Sequence, residues 1–577
     1  MNRRSNPFEA LRRRGTPGQN AAIDEYLAGK LDRRNFLRHA ALLGLTAPLV
    51  GSILPDPARA AGPDPALGEA PRPGGGDSGG GGGGEARVRT PVRTLTVGMP
   101  VPAGLIDPLT IGDTGGVCLL SQTGEYLANS DPGLRLEPAL AESWQANADG
   151  SVWTFRIRRQ VRFHDGRTLT AADVAATMNR LADPANGSIA LSAFAGTLSK
   201  GGAHALDDYT VAFRLDAPNG SFPYLVSSDN YNAIILPADY SGDFERAFNG
   251  TGPFRLEKYV SKAHASFVRN ESYWGEKSTV SRVLFDFYDS IQAQVLAMQG
   301  AQLDVLLHVP VQGSQALLTD PRLSIVSLKS SAHEQVHMRT DKGPFADKRV
   351  RRAIALCLNR GNLVHGMFRG RSALGNDSPF APIFPATDPT VPQRGEDLVL
   401  ARKLLAEAGV PNGFKARLSA ERFQEIPDYA VVIQNAARKI GVDLTLDVED
   451  QSAYFGRAVF GASDWLDSEM GIEDYAHRGV PNTILTASLG SRGNFNAAHF
   501  KNPDYDRLTA EYIAALDPAS QRAAAGRIQR LLLEETPVII AYFYDWLSVT
   551  AKDVSGVRPT AMGQLNLAAT RVGGRRS

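Results

Sequence analysis

Between Pro138 and Pro184 the chain reads PALAESWQANADGSVWTFRIRRQVRFHDGRTLTAADVAATMNRLADP, and few folds accept that order of signals. Trp153, Phe155 and Ile157 alternate with Thr154, Arg156 and Arg158, the period of a strand with one buried face. Val161 and Phe163 lead into Asp165-Gly166, a turn pair in which glycine accepts positive φ. Thr170 and Asp173 have capping-box spacing, and Val174, Met178 and Leu181 continue as one helix face. A strand pair, a tight turn and a capped helix must therefore pack together within this one run.

The rest of the chain divides by composition. At 577 residues it is too long for one core and should split into lobes. Gly62–Thr90 carries PGGGDSGGGGGGEA, with no apolar periodicity and high chain entropy, which predicts a disordered linker. Residues 1–60 hold ten basic and five acidic side chains, which leaves 52 against 56 and a formal charge of −4 for the remainder. That balance gives no support to nucleic-acid binding. Phe414–Ala420, Asp428–Ile440 and Val442–Val448 read as strand, helix and strand, a βαβ unit that predicts a mostly parallel sheet. Asp517-Pro518 opens a helix to Glu535, and Val538–Phe543 follows as an apolar strand. The two cysteines, Cys118 and Cys357, are far apart; buried free thiols are expected, with a disulfide as the alternative in an oxidising compartment.

The Pro138–Pro184 run resembles the signature region of the family 5 extracellular solute-binding proteins, the peptide-, nickel- and opine-type receptors of ABC importers. Other segments share the likeness in the same order: Ile106-Asp107-Pro108, Thr251-Gly252-Pro253-Phe254-Arg255, and Phe345-Ala346-Asp347-Lys348-Arg349-Val350 with Asp347 as N-cap. The resemblance covers almost all of the mature chain. It implies an α/β, two-lobed periplasmic binding protein (type II, cluster C-like) with a subdomain inserted in the first lobe. The implied division is 91–137, 251–338 and 544–577 for lobe I, 138–250 for the insertion and 339–543 for lobe II. Asp32-Arg33-Arg34-Asn35-Phe36-Leu37-Arg38 resembles a twin-arginine export motif. The modestly apolar Ala40–Leu54 and the small-x-small Ala58-Arg59-Ala60 follow it. Residues 1–60 thus read as a cleaved signal and 61–90 as linker, giving a soluble, monomeric periplasmic protein with an inner-membrane ABC permease as partner. No catalytic residue, metal or cofactor is expected.

His333-Glu334-Gln335-Val336-His337 competes with that reading, because it matches the zinc-protease pattern HExxH. The chemistry needs a helix, which brings both imidazoles to one Zn²⁺ with the glutamate as general base. The flanks are strand-like, and on a strand residues four apart are separated by roughly 13 Å. An exported zinc hydrolase built on His333, Glu334 and His337 is therefore the alternative from another class.

Specificity in a two-lobed receptor lies in loops at strand ends. The resemblance assigns Asp474 of Asp474-Tyr475 to the ligand's α-ammonium; a capped surface turn is the plain alternative. The run then departs from the family pattern with Ala476-His477-Arg478-Gly479. His477 and Arg478 suggest an anionic group on the ligand, as in a peptide, opine or other amino-carboxylate; pairing of Arg478 with Glu473 is the alternative. Trp465 and Tyr475, Tyr544 of the aromatic run Tyr542–Trp546, and Gly124 and Glu125 in the first lobe complete the candidate binding residues. A metal chelate or a sugar-like solute is the alternative ligand class.

Overall fold

The computed structural model describes residues 94–573, and the expected signal and linker over 1–60 and 61–90 lie outside them. Local signals decide the early elements. Val152–Ile157 is a strand with Trp153, Phe155 and Ile157 buried. The turn falls at Gly166, with φ 93°. Thr170 and Asp173 close a reciprocal capping box over the helix Ala171–Leu181, which buries Val174, Met178 and Leu181. These elements belong to a four-stranded sheet, ordered Ala141–Ala146, Val152–Ile157, Thr210–Arg214 and Ala203–Asp207. Phe155 packs edge-on to Phe213 at 5.4 Å in its core.

His164 ties this insertion to the first lobe. Its ring nitrogens lie 3.3 and 3.0 Å from the carbonyls of Phe248 and Gly252, a structural role. Glycine is required beside it because a Cβ on Gly250 or Gly252 would overlap the backbone of Thr123.

The first lobe is a seven-stranded sheet. Its order is Leu323–Leu328, Trp546–Ala551, Val305–Leu306, Thr94–Pro100, Arg282–Tyr288, His264–Arg269 and Phe254–Val260. The second lobe has five strands, in the order Asp443–Glu449, Lys415–Glu421, Met470–Tyr475, His333–Met338 and Val538–Ile540. The βαβ unit forms with its helix at Ile426–Arg438. The sheet is not mostly parallel, however. His333–Met338 enters it antiparallel to both of its neighbours, a pairing of distant segments that local periodicity does not register. That strand lies within 251–338 yet belongs to the second lobe's sheet, so the crossing occurs between Leu328 and His333. The apolar run after Glu535 breaks at Ala541 into Val538–Ile540 and Tyr542–Tyr544, and the latter pairs with Ser372–Leu374.

The insertion touches the second lobe, where the amide of Gly220 donates to the carbonyl of Ile513 at 2.8 Å. Cys118 and Cys357 are free and buried in different cores. Among the described residues no helix is long and apolar enough to cross a membrane.

A buried charge cluster pins the outer part of the second lobe. Asp377, fully buried, accepts from Arg360 at 2.7 and 2.8 Å and from Arg394 at 2.6 Å. Asp377→Ala leaves two desolvated guanidinium groups and should cost about 3–5 kcal/mol. Urea unfolding checks this; an unchanged midpoint would contradict it.

Candidate functional site

A cavity of about 560 Å³ opens against the first lobe. Its walls come from Gly124–Tyr126, the hairpin strands Ala128–Ser130 and Leu136–Pro138, the end of Leu323–Leu328, and the C-terminal strands Arg558–Pro559 and Leu565–Asn566. His477 reaches it from the second lobe. The Nδ1 of His477 accepts from the Ser331 amide at 2.9 Å, so its proton sits on Nε2. Burial, with Arg478 beside it, pushes the ring down to about 3. The residue is therefore a neutral donor in the cavity wall.

Glu125 is a keystone of the opposite wall. One of its oxygens accepts from Tyr273 Oη at 2.8 Å, the other from Thr251 Oγ1 at 2.7 Å and Trp274 Nε1 at 2.9 Å. Burial raises the group to about 6 despite these donors. Gly124 is needed for packing, since a Cβ there would meet Ile234 at 2.6 Å.

At the carboxyl edge of the second sheet, Glu334 and Asp474 face each other across antiparallel strands. Tyr542 donates to Glu334, and Tyr544 donates to Asp474 at 2.6 Å. Glu425, buried, lies close enough to act on both carboxyl groups. Burial is the main reason that Asp474 and Glu425 are each raised to about 7, and neighbouring carboxylates add to it. Clustered, desolvated carboxyl groups of this kind take up protons more readily than exposed ones.

Residues 135–479 match the family of bacterial extracellular solute-binding proteins, family 5 Middle. The chain belongs to this family. It is 26% identical to di/tripeptide-binding protein 2 of Pseudomonas aeruginosa over 74% of its length and 84% of the relative's. It is 25% identical to heme-binding protein A of Haemophilus influenzae, covering 70% and 78%. The periplasmic binding protein DppA from Helicobacter pylori, solved with the peptide STSA, shares its fold at a TM-score of 0.67 and 22% identity, over 83% of this chain and 98% of that one.

In this family 5 protein the expected site residues separate. Gly124, Glu125 and His477 line the cavity. Asp474 and Tyr544 meet on one face of the second sheet, and Asp474 lies on a strand, not on a surface turn. Tyr475 points the other way, stacked on His333 at 5.6 Å with its hydroxyl on Ser488. Trp465 packs in a small core between Phe455 and Phe495 and does not line the cavity. Arg478 borders a neighbouring recess and donates to the carbonyl of His477. It does not pair with Glu473, whose oxygens face Gln335 and His337.

The HExxH run lies on the strand His333–Met338. Glu334 projects opposite to His333 and His337, and neither histidine lines the cavity. The pattern therefore lacks the geometry that its zinc chemistry requires. Sequence reading missed Asp229 and the C-terminal stretch 557–566 of the wall, which carry no periodic or motif signal.

Carboxyl groups raised from about 4 in the unfolded chain to about 7 in the fold keep extra protons on the native state. Their contribution is complete below pH ~4 and is lost as pH rises through ~7. Asp474→Asn with Glu425→Gln should therefore lessen the fall in Tm between about pH 5 and about pH 8 relative to wild type. An equal or steeper fall in the variant contradicts the assignment.

Proposed function

We propose that the mature protein is the periplasmic receptor of an ABC importer for small amino-carboxylates, short peptides or opines among them. It leaves the cytoplasm by the twin-arginine route, acts as a monomer, and delivers its solute to an inner-membrane permease. The lobes close around the solute, and the closed form is the one the permease recognises. One observation carries the ligand class: a half-buried carboxylate, Asp474, is oriented by the Tyr544 hydroxyl at the carboxyl edge of a sheet. Paired with an ammonium group, that carboxylate makes charge-assisted hydrogen bonds in a partly desolvated setting.

The other end of the solute is anionic in this reading. His477 offers Nε2–H and Arg478 adds positive charge beside it, both suited to a carboxylate. The di/tripeptide-binding relative and the fold shared with a peptide-bound protein support the same class. The receptor requires no catalytic group, and the zinc hydrolase built on His333, Glu334 and His337 is set aside because its residues lie on a strand.

Native mass spectrometry of the chain purified from a periplasm should release a small organic solute on denaturation. Asp474→Asn should then weaken calorimetric binding of that solute by about tenfold or more. Arg478→Ala should weaken carboxylate ligands and spare their amides. Bound zinc without an organic solute, or unchanged affinity in Asp474→Asn, would overturn the reading.

A further inference from the structure

Asp229 belongs to the inserted subdomain and faces the second lobe. It is held in a turn after the short helix Phe222–Leu225. Its own amide donates to Ser227 Oγ at 3.1 Å, the Ser228 amide to the Ala128 carbonyl at 3.0 Å, and the Asn230 side chain to the Leu225 carbonyl at 2.8 Å. The backbone that carries the carboxylate is thus fixed before any solute arrives.

The carboxylate borders both the 560 Å³ cavity and the smaller recess shared with Arg478 and Gly479. Its Oδ2 is buried, and the donor side chain beside it is the neighbouring Ser130 hydroxyl. Oδ2 packs against the Cα of Gly479, where any Cβ would overlap it. Among the described residues Asp229 has no ion-pair partner.

The surrounding charges are distributed unevenly. The cavity wall holds four carboxylates, Glu125, Asp131, Glu137 and Asp229, against Lys329 and Arg558. Glu125 is satisfied by three donors, Asp131 is paired with Arg135, and Lys329 is held by Asp545. Glu137 is exposed to solvent. Asp229, half-buried with its Oδ2 withdrawn from water, is therefore the wall carboxylate that has a hydroxyl beside it and no cation of its own. A group in that state is costly unless a donor is supplied, and the cavity is the side from which one can come.

We infer that the natural solute carries a second cationic group, an ammonium or guanidinium besides its α-ammonium, and that Asp229 receives it from the first-lobe side. The inference rests on the amino-carboxylate reading and narrows it to basic solutes. Because the same carboxylate abuts Gly479, a cation seated there also bridges the insertion to the second lobe.

Calorimetry with two dipeptides tests this, using alanyl-lysine and alanyl-norleucine, which differ only in the side-chain charge and its nitrogen. The wild type should bind the lysyl peptide about tenfold or more tightly than its neutral counterpart. Asp229→Asn should abolish that preference and leave the norleucyl affinity unchanged. Equal wild-type affinities, or a preference that survives in Asp229→Asn, overturn the inference while leaving the receptor reading intact. If neither dipeptide binds, the peptide reading fails instead. The charge inference is then decided by the solute released from the native protein: two basic nitrogens support it, and fewer overturn it. Should Asp229→Asn not fold, the wild-type preference and the released solute decide it without the variant.

Discussion

Everything in this molecule depends on a double crossing between two sheets. Leu323–Leu328 and Trp546–Ala551 pair antiparallel in the first lobe, and His333–Met338 and Val538–Ile540 pair antiparallel in the second. Both chains pass from lobe to lobe side by side. They are joined there by the Tyr544 amide on the Ala332 carbonyl at 3.0 Å and by Ser330 Oγ on the Tyr544 carbonyl. Lys329 and Asp545 form an ion pair at the same level. Two hydrogen-bonded connections side by side favour bending between the lobes over sliding.

The crossing also sets the chemistry on either side of it. Just beyond the hinge, Glu334 lies opposite Asp474 and Tyr544 reaches back to bond it. His477 is held by Ser331, within the crossing itself. The second lobe therefore keeps a desolvated carboxyl cluster beside the crossing and presents a neutral imidazole to the cavity. The first lobe is built differently. There the glycines of the Gly250–Phe254 segment press against Thr123, and Thr251 supplies one of the three donors to Glu125. That carboxylate organises the wall, whereas Asp229, with the Ser130 hydroxyl beside it and no basic partner, is left for the solute.

Much of the framework was legible in the residues because it rests on short-range effects. The capping box at Thr170 and Asp173, the N-caps at Asp347 and Asp517, and the alternation around Phe155 each need only neighbours within a few positions. The HExxH spacing misleads for the opposite reason. Its meaning depends on whether the backbone is helix or strand, and strand pairing with Met470–Tyr475 decides that. The expectation of a mostly parallel second sheet failed on the same strand. Trp465 looked like a cleft aromatic and is a core residue, since an indole suits either place and Phe455 and Phe495 claim it.

The sequence by itself determined most of the elements, their order and the two-lobed class. Hydrophobic period, capping and turn chemistry act over a few residues and leave a direct trace in the chain. Only the tertiary structure decided which carboxylates are satisfied and which are left open. Glu125 is answered by Thr251, Tyr273 and Trp274, Asp474 by Tyr544, and Asp229 by no basic side chain. Desolvation and partnership are properties of the packed chain, set by contacts between segments far apart in sequence, and no local pattern encodes them.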